Sequence, residues 1–288
     1  MLRSLTSAIS GLQSFQQRLD VIGNNIANVN TTGFKGARVG LADSFSQTLR
    51  SSSAGTGGAS GTSAMQIGLG VGIQSITNQY TQGALSRTSV GTDLAITNSG
   101  FFVVEDPISN SQFVTRAGDF SVDENGYLVT NAGMRVQGYD DAALTNMGDL
   151  LIDTTGMPAT SDPTATMVSF AIDTEGKINV NLSDGTQFVR GQILLQNFSN
   201  PQGLMKEGNN LYSGIGAAGP LGGATSPTPA APGTSGLGKI QAGALELSNV
   251  DLASEFTSLI TTQRAYQANA RVITTSDEML QELVNLKR

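Results

Sequence analysis

Both ends of the chain repeat one device, and it narrows what the chain can fold into. Leu5, Ala8, Leu12, Phe15, Leu19, Ile22, Ile26 and Val29 are spaced alternately by three and four residues. Such spacing lines one helix face with apolar side chains, and held over three heptads it is the seam of a coiled coil. Between Ser4 and Val29 the only charges are Arg18 and Asp20, fewer than a solvated helix face carries. At the other end Leu252, Phe256, Leu259, Gln263, Tyr266, Ala270, Ile273, Asp277, Leu280 and Val284 repeat the alternation. Gln263 and Asp277 interrupt this seam, and polar seam residues fix register and partner at some cost in stability. Ser248 or Asn249 is expected to cap the helix, with Asp251 in its first turn. A helix over residues 251–286 would reach about 54 Å at ~1.5 Å per residue.

Between these ends the pattern changes to short runs of Val, Ile, Phe and Thr bounded by Gly, Asn and Asp. Strands are expected at 71–79, 93–97, 101–105, 112–116, 119–122, 127–130, 134–139, 168–173, 177–181 and 186–197. Asn125-Gly126, Glu175-Gly176 and Asp184-Gly185 fall between them and predict hairpin turns. Two tracts have linker composition: 50–64, of Ser, Gly, Ala and Thr, and about 216–238, rich in Pro, Gly and Ala. The fold class is therefore α+β: a mainly-β central domain, an irregular sandwich or barrel, flanked by long terminal helices that pack as a coiled coil in an assembly. The expected order is an N-terminal assembly helix over 1–34, a connector over 35–70, the β domain over 71–215, a Pro/Gly/Ala linker over 216–242 and a C-terminal assembly helix over 243–288. Neither helix can bury its seam alone, so each needs the other or copies from neighbouring subunits.

Composition removes most other functions. With no Cys and no His, the chain lacks a thiolate metal site, a Cys nucleophile and the commonest general base. The net charge of −7, with 16 basic residues against 23 acidic, does not supply the clustered cations that nucleic acid binding needs. No stretch approaches the ~18–20 apolar residues of a membrane span. The run after Arg3 is broken by Ser, Thr, Gly and Gln and lacks the apolar core of a cleavable signal peptide. Charged residues make up only 14%, against about 25% in ordinary soluble proteins; such a surface suits contact with other protein. Asp119 and Asp123 are better explained as hairpin-turn residues than as a catalytic pair. Asp123-Glu124-Asn125-Gly126 lacks the spacing of a calcium loop. Gly68-Leu69-Gly70-Val71-Gly72 lacks the Lys-Ser/Thr and helix of a phosphate loop. No enzyme activity, cofactor or metal is expected.

The run from Asn24 through Asn25, Ile26, Ala27, Asn28, Val29, Asn30, Thr31, Thr32, Gly33 and Phe34 to Lys35 ends a helix, with Gly33 suited to the stop. Its clustered carboxamides are able to hydrogen-bond laterally without carrying charge. This segment resembles the N-terminal signature of flagellar hook and rod proteins. Ser99-Gly100-Phe101-Phe102-Val103-Val104, then Thr115-Arg116-Ala117-Gly118-Asp119-Phe120 with Asp123 to Val129, resemble that family's β-domain motifs. The tail from Gly243 through Val250-Asp251-Leu252 and Gln263-Arg264-Ala265-Tyr266-Gln267-Ala268-Asn269 resembles its C-terminal helix. The resemblance covers about 1–48, 66–140 and 190–288, and leaves 141–189 undistinguished.

The resemblance implies a structural subunit whose terminal helices form an inner tube wall and whose β domain forms an outer layer. The last forty residues look most like short hook proteins; the distal rod protein is the alternative, and an adhesin with helical oligomerisation arms a third reading. The implied partners are copies of the chain itself in a helical homopolymer, other axial proteins (rod, hook-filament junction, hook cap) and the flagellar type III export apparatus, with neither nucleic acid nor membrane insertion. The implied location is the extracellular hook or the periplasm-spanning basal body, reached without a cleaved signal. Leu5, Leu12, Phe15, Leu19, Ile22, Ile26, Val29, Leu252, Phe256, Leu259, Tyr266, Ile273, Leu280 and Val284, with Asn24, Asn25, Asn28 and Asn30, are expected to carry assembly.

Overall fold

A computed structural model describes residues 2–55, 60–158, 161–162, 164–221 and 228–286. The chain forms two compact units that exchange segments. The first combines Met1–Ala27, Gly36–Gln79 and Val250–Arg288; the second combines Asn28–Lys35 and Tyr80–Asn249. The fold is mainly β with a helix at each end. No described helix is long and apolar enough to cross a membrane.

In the first unit, helix α1 spans Leu2–Ala27. Strands β1 (Ala37–Asp43) and β4 (Val71–Asn78) pair antiparallel, and β2 (Ser46–Arg50) pairs with β3 (Met65–Gly68). The Ser/Gly tract expected as a free linker is the far end of this ladder. Ser53 and Thr62 exchange backbone hydrogen bonds of 3.1 Å, while 56–59 lie outside the described residues. Serine joins β4 to α1: the Ser10 hydroxyl accepts from the Val71 N–H at 3.3 Å, and the Ser14 hydroxyl donates to the Val71 carbonyl at 3.4 Å.

The C-terminal helix of the first unit, Leu252–Asn285, is capped by Asp251 rather than by Ser248 or Asn249. The Asp251 carboxylate accepts from the Ala253 N–H at 2.9 Å, and its backbone is extended. That geometry satisfies an otherwise orphan donor and sets a negative charge at the positive helix end. The 34 residues rise about 51 Å at ~1.5 Å each.

The second unit is built on an antiparallel sheet. Its strands run in the order Met167–Ile172, Lys177–Leu182, Gln187–Ile193, Arg135–Tyr139, Phe101–Glu105, Gln112–Thr115, Leu211–Ser213 and Met205–Gly208. The three expected turns all form: Gly126, Gly176 and Gly185 take φ of +85°, +77° and +80°. Their N–H groups reach back to Asp123, Asp173 and Leu182 carbonyls at 2.9–3.1 Å. One core gathers Leu94, Ile96, Phe102, Leu128, Ile178 and Ile240 among others. A second holds Phe101, Phe198 and Tyr212, whose rings meet edge to face at 5.6–6.1 Å. Such edge-to-face pairs add about 0.5–1.5 kcal/mol each beyond the area they bury.

The Pro/Gly/Ala stretch is not a free tether where it is described. Pro220, Pro229 and Pro232 are buried, Ala230 and Leu195 exchange two backbone hydrogen bonds, and Lys239–Ala242 pairs with Leu94–Thr97. Proline has no N–H to leave unsatisfied and little backbone freedom to lose, so it can line a sheet edge as readily as a linker. Residues 222–227 lie outside the described residues.

Candidate assembly surface

The helices of the first unit run antiparallel: Asn25 lies beside Glu255, and Gly11 beside Asn269. A Cβ on Gly11 would stand 2.5 Å from the Asn269 side-chain nitrogen, so the Asn269 amide occupies the space that the missing side chain leaves. On α1 the buried residues are Ala8, Gly11, Ser14, Ile22 and Asn25. Leu5, Leu12, Phe15, Leu19 and Ile26 flank them half-buried. Of the expected seam only Ala8 and Ile22 are buried; the packed centre also takes in Gly11, Ser14 and Asn25, and the larger seam residues lie at its margin.

The C-terminal helix is turned relative to its expected seam. Thr262 and Ser276 are buried, while Gln263 and Asp277 are exposed and do not set register within this pair. The physical reason is local. The Thr262 and Ser276 hydroxyls donate to the carbonyls of Ser258 and Val272, each at 2.7 Å, so both side chains arrive at the interface already satisfied. Leu259, Tyr266, Ile273 and Leu280 are half-buried beside them. Leu252 at 40%, Phe256 at 49% and Val284 at 67% remain exposed, as do Ile260, Met279 and Leu283.

Near the end of the C-terminal helix Met279, Leu283 and Leu286 form an exposed apolar stripe flanked by Glu278 and Glu282. Within the first unit only Ala8 and Ile22 count as buried apolar side chains among the described residues; the others all belong to the second. The helix unit therefore leaves most of its large apolar side chains partly or wholly open.

The four carboxamides separate. Asn25 is 2% exposed. Its Nδ2 donates to the Ala37 carbonyl at 2.9 Å and to Glu255 Oε1 at 3.3 Å, while its Oδ1 accepts from the Ala37 N–H at 3.0 Å. This side chain ties the end of α1, the start of β1 and the first turn of the C-terminal helix into one unit, and its amide is consumed inside the subunit. Asn24 and Asn30 are exposed. Asn28 and Val29 lie past the helix end, half-buried in the second unit, where Asn28 Oδ1 accepts from the Thr31 hydroxyl at 3.2 Å. Asn25→Ala is expected to destabilise the first unit by about 1–3 kcal/mol, because it orphans a buried N–H and carbonyl. Faster amide exchange at Ala37 checks this; unchanged exchange would refute it.

Gly33 is not the helix stop. It lies well past Ala27 at φ +66°, and a Cβ there would stand 2.6 Å from the Ala117 nitrogen. Its N–H donates to the Glu246 carbonyl at 2.8 Å. Beside it, inside the second unit, three buried charges meet. Lys35 Nζ lies 2.6 Å from Glu246 Oε1 and 2.7 Å from the Thr81 carbonyl. Arg116 Nη1 lies 3.1 Å from Glu246 Oε2, and its Nη2 donates to the Asn98 carbonyl at 2.6 Å. The Gly83 N–H also donates to Glu246, at 2.9 Å. Burial pulls the Lys35 and Arg116 pKa values down, and in both the Glu246 charge opposes that shift. Nothing in the sequence linked these three residues: Glu246 lies 211 residues from Lys35 and 130 from Arg116.

Three family patterns match the chain in order. That of the flagella basal body rod protein covers 5–35, that of the flagellar hook protein FlgE/F/G D1 domain covers 95–180, and that of the flagellar basal body rod FlgEFG protein C-terminal covers 241–286. The flagellar basal-body rod protein FlgG of Bacillus subtilis is 42% identical over 288 residues, the whole of both chains. FlgG of Buchnera aphidicola subsp. Acyrthosiphon pisum is 39% identical over 290 residues, 99% of this chain and all of its own. The flagellar hook protein FlgE of Borreliella burgdorferi is 29% identical over 450 aligned positions, again the whole of both chains.

Proposed function

Because the chain belongs to the flagellar rod and hook protein family, we propose that this structural axial subunit polymerises through its terminal helices into a tube, as part of the flagellar rod. The carrying observation is the open apolar surface of the helix unit: Phe256, Ile260, Met279 and Leu283 are about half exposed. Apolar rows on a helix of this length are stable only when covered, and the covering partner is a second copy of the same unit. A heterologous contact whose rotation does not close generates a helical polymer. In that polymer the helices pack as a coiled coil in the inner wall. Export by the flagellar type III apparatus and end-on contacts with other axial proteins belong to the same reading. The adhesin and enzyme readings have no observation in their favour.

Length favours rod over hook. The rod relative aligns end to end over 288 residues, whereas the hook relative needs 450 positions to span both chains. The hook is the second reading, favoured by the tail that runs from Val250-Asp251-Leu252 to Leu283-Val284-Asn285-Leu286. The readings differ mechanically, because a hook bends as it turns and a rod does not. Polymers of the purified chain are expected to be straight, with one subunit spacing throughout, in electron cryo-micrographs. Curved polymers, with spacing that differs between their inner and outer sides, would transfer the assignment to the hook.

A further inference from the structure

Residues 28–35 reach the second unit as an island: the chain on both sides of them, at Ala27 and at Gly36, belongs to the first. No strand of the sheet runs through this segment. Side chains and buried charge hold it instead. Phe34 is buried beneath the Lys206 ammonium, 4.5 Å from the ring centre, and that ammonium also donates to the Lys35 carbonyl at 2.8 Å. Asn210 donates to the Thr32 carbonyl at 2.8 Å. At the end of the island stands Lys35, wholly buried on Glu246. Glu246 closes Ala244–Glu246, the strand that runs just ahead of the C-terminal helix.

We propose that Lys35, Glu246 and Arg116 form a clasp that outlasts the helix unit, keeping the roots of both terminal helices side by side on the β unit when the helices come apart. Local stability follows buried apolar contact, and the two units differ in it sharply. The helix unit contributes only Ala8 and Ile22 to the buried apolar side chains among the described residues, while the β unit has two cores. The helix unit therefore opens first. The clasp does not open with it, because each charge depends on the others. Withdrawing Lys35 would cost a buried carboxylate one of its two cations, and Lys35 sits where water does not reach. With the clasp closed, the Gly33 N–H stays on the Glu246 carbonyl at 2.8 Å, so the two helices depart from adjacent points. The clasp thereby shortens the tether between the two helices and raises the effective concentration at which they re-pair. A subunit can thus open its helices to join a polymer and close them in the original register.

Trypsin reads this directly in the dilute, full-length monomer. Arg38 is exposed on β1 of the helix unit, and Lys35 is buried in the β unit three residues earlier. Cleavage after Arg38 is expected as the helix unit opens, while the bond after Lys35 stays intact and the peptide ending at Arg38 stays bound to the core in native mass spectrometry. Cleavage after Lys35 as fast as after Arg38 would overturn the clasp. So would resistance of the whole 36–79 segment while the β core is being cut. Glu246→Gln is expected to raise cleavage after Lys35 roughly tenfold or more relative to Arg38, since proteolysis follows the population of the open form. Lys35→Met, in which Glu246 keeps Arg116, is expected to fold and to release the peptide ending at Arg38. Retention of that peptide as firmly as in the parent chain would show that the charges do not hold it. If Glu246→Gln fails to fold, the parent chain and Lys35→Met still decide the question.

Discussion

A chain carrying Phe256→Asp and Ile260→Asp is expected to remain a folded monomer and to lose polymerisation. The two side chains are one helical turn apart and about half exposed, at 49% and 50%. A carboxylate at either place is solvated in the monomer and costs the subunit little. In a polymer that covers the same row, each carboxylate loses water without gaining a partner. Mutational measurements put an unpaired buried polar group at about 1–3 kcal/mol, and a charge higher. Two per subunit thus weaken each junction by roughly 4 kcal/mol or more, which is about a thousandfold in the association constant. Sedimentation and negative-stain microscopy should show no tubes at concentrations where the parent chain forms them, with the melting curve of the β unit unchanged. Tubes of normal diameter at normal concentration would mean that this row is not an assembly surface. Ile22 would make a poorer probe: it is 5% exposed inside the subunit, so a charge there breaks the helix pair before assembly is tested.

Much of the fold was legible because it rests on period. The heptad spacing of α1 marks a helix with one apolar side, and Gly-containing turns place the hairpins at 126, 176 and 185. The buried centre of the C-terminal helix, Thr262 and Ser276, carries no hydrophobic signal, because hydrophobicity ranks Thr and Ser as polar. Once the hydroxyls of Thr262 and Ser276 bond to their own helix, both residues pack like small apolar groups. Strands such as Leu85–Arg87, Lys239–Ala242 and Ala244–Glu246 are too short for a period of two to stand out, and their distant partners define them. The same holds for the charged cluster, whose members are neighbours only in three dimensions. The interleaving of the two units, with 28–35 in one and 36–79 in the other, has no compositional mark at all.

Gly118→Ala is expected to be among the most damaging single methyl additions at the loop glycines of the β unit, together with Gly238→Ala. A Cβ at Gly118 would stand 1.6 Å from the Leu94 carbonyl oxygen and 2.7 Å from its carbon. The obstacle is backbone, so no side-chain rotation relieves it. The Leu94 N–H donates to the Gly118 carbonyl at 2.9 Å, so the two chains cannot part without breaking that bond. Leu94, Ala95 and Ile96 are all at most 1% exposed, and Leu94–Thr97 pairs in turn with Lys239–Ala242. Displacing this strand moves the core and the final strands together. The expected cost is on the order of 4 kcal/mol or more, at the upper end of overpacking effects. For a unit of this size that lowers Tm by roughly 10–15 °C. The control is Gly23→Ala, in α1, where nothing lies within 4 Å of the added Cβ. There the change should stabilise the helix by up to about 1 kcal/mol, since alanine loses less backbone entropy than glycine. Calorimetry of the two variants separates the arguments. If Gly118→Ala melts with the parent chain, the strand at Leu94 yields more than its burial allows, and the close approach at Gly118 is not what fixes it.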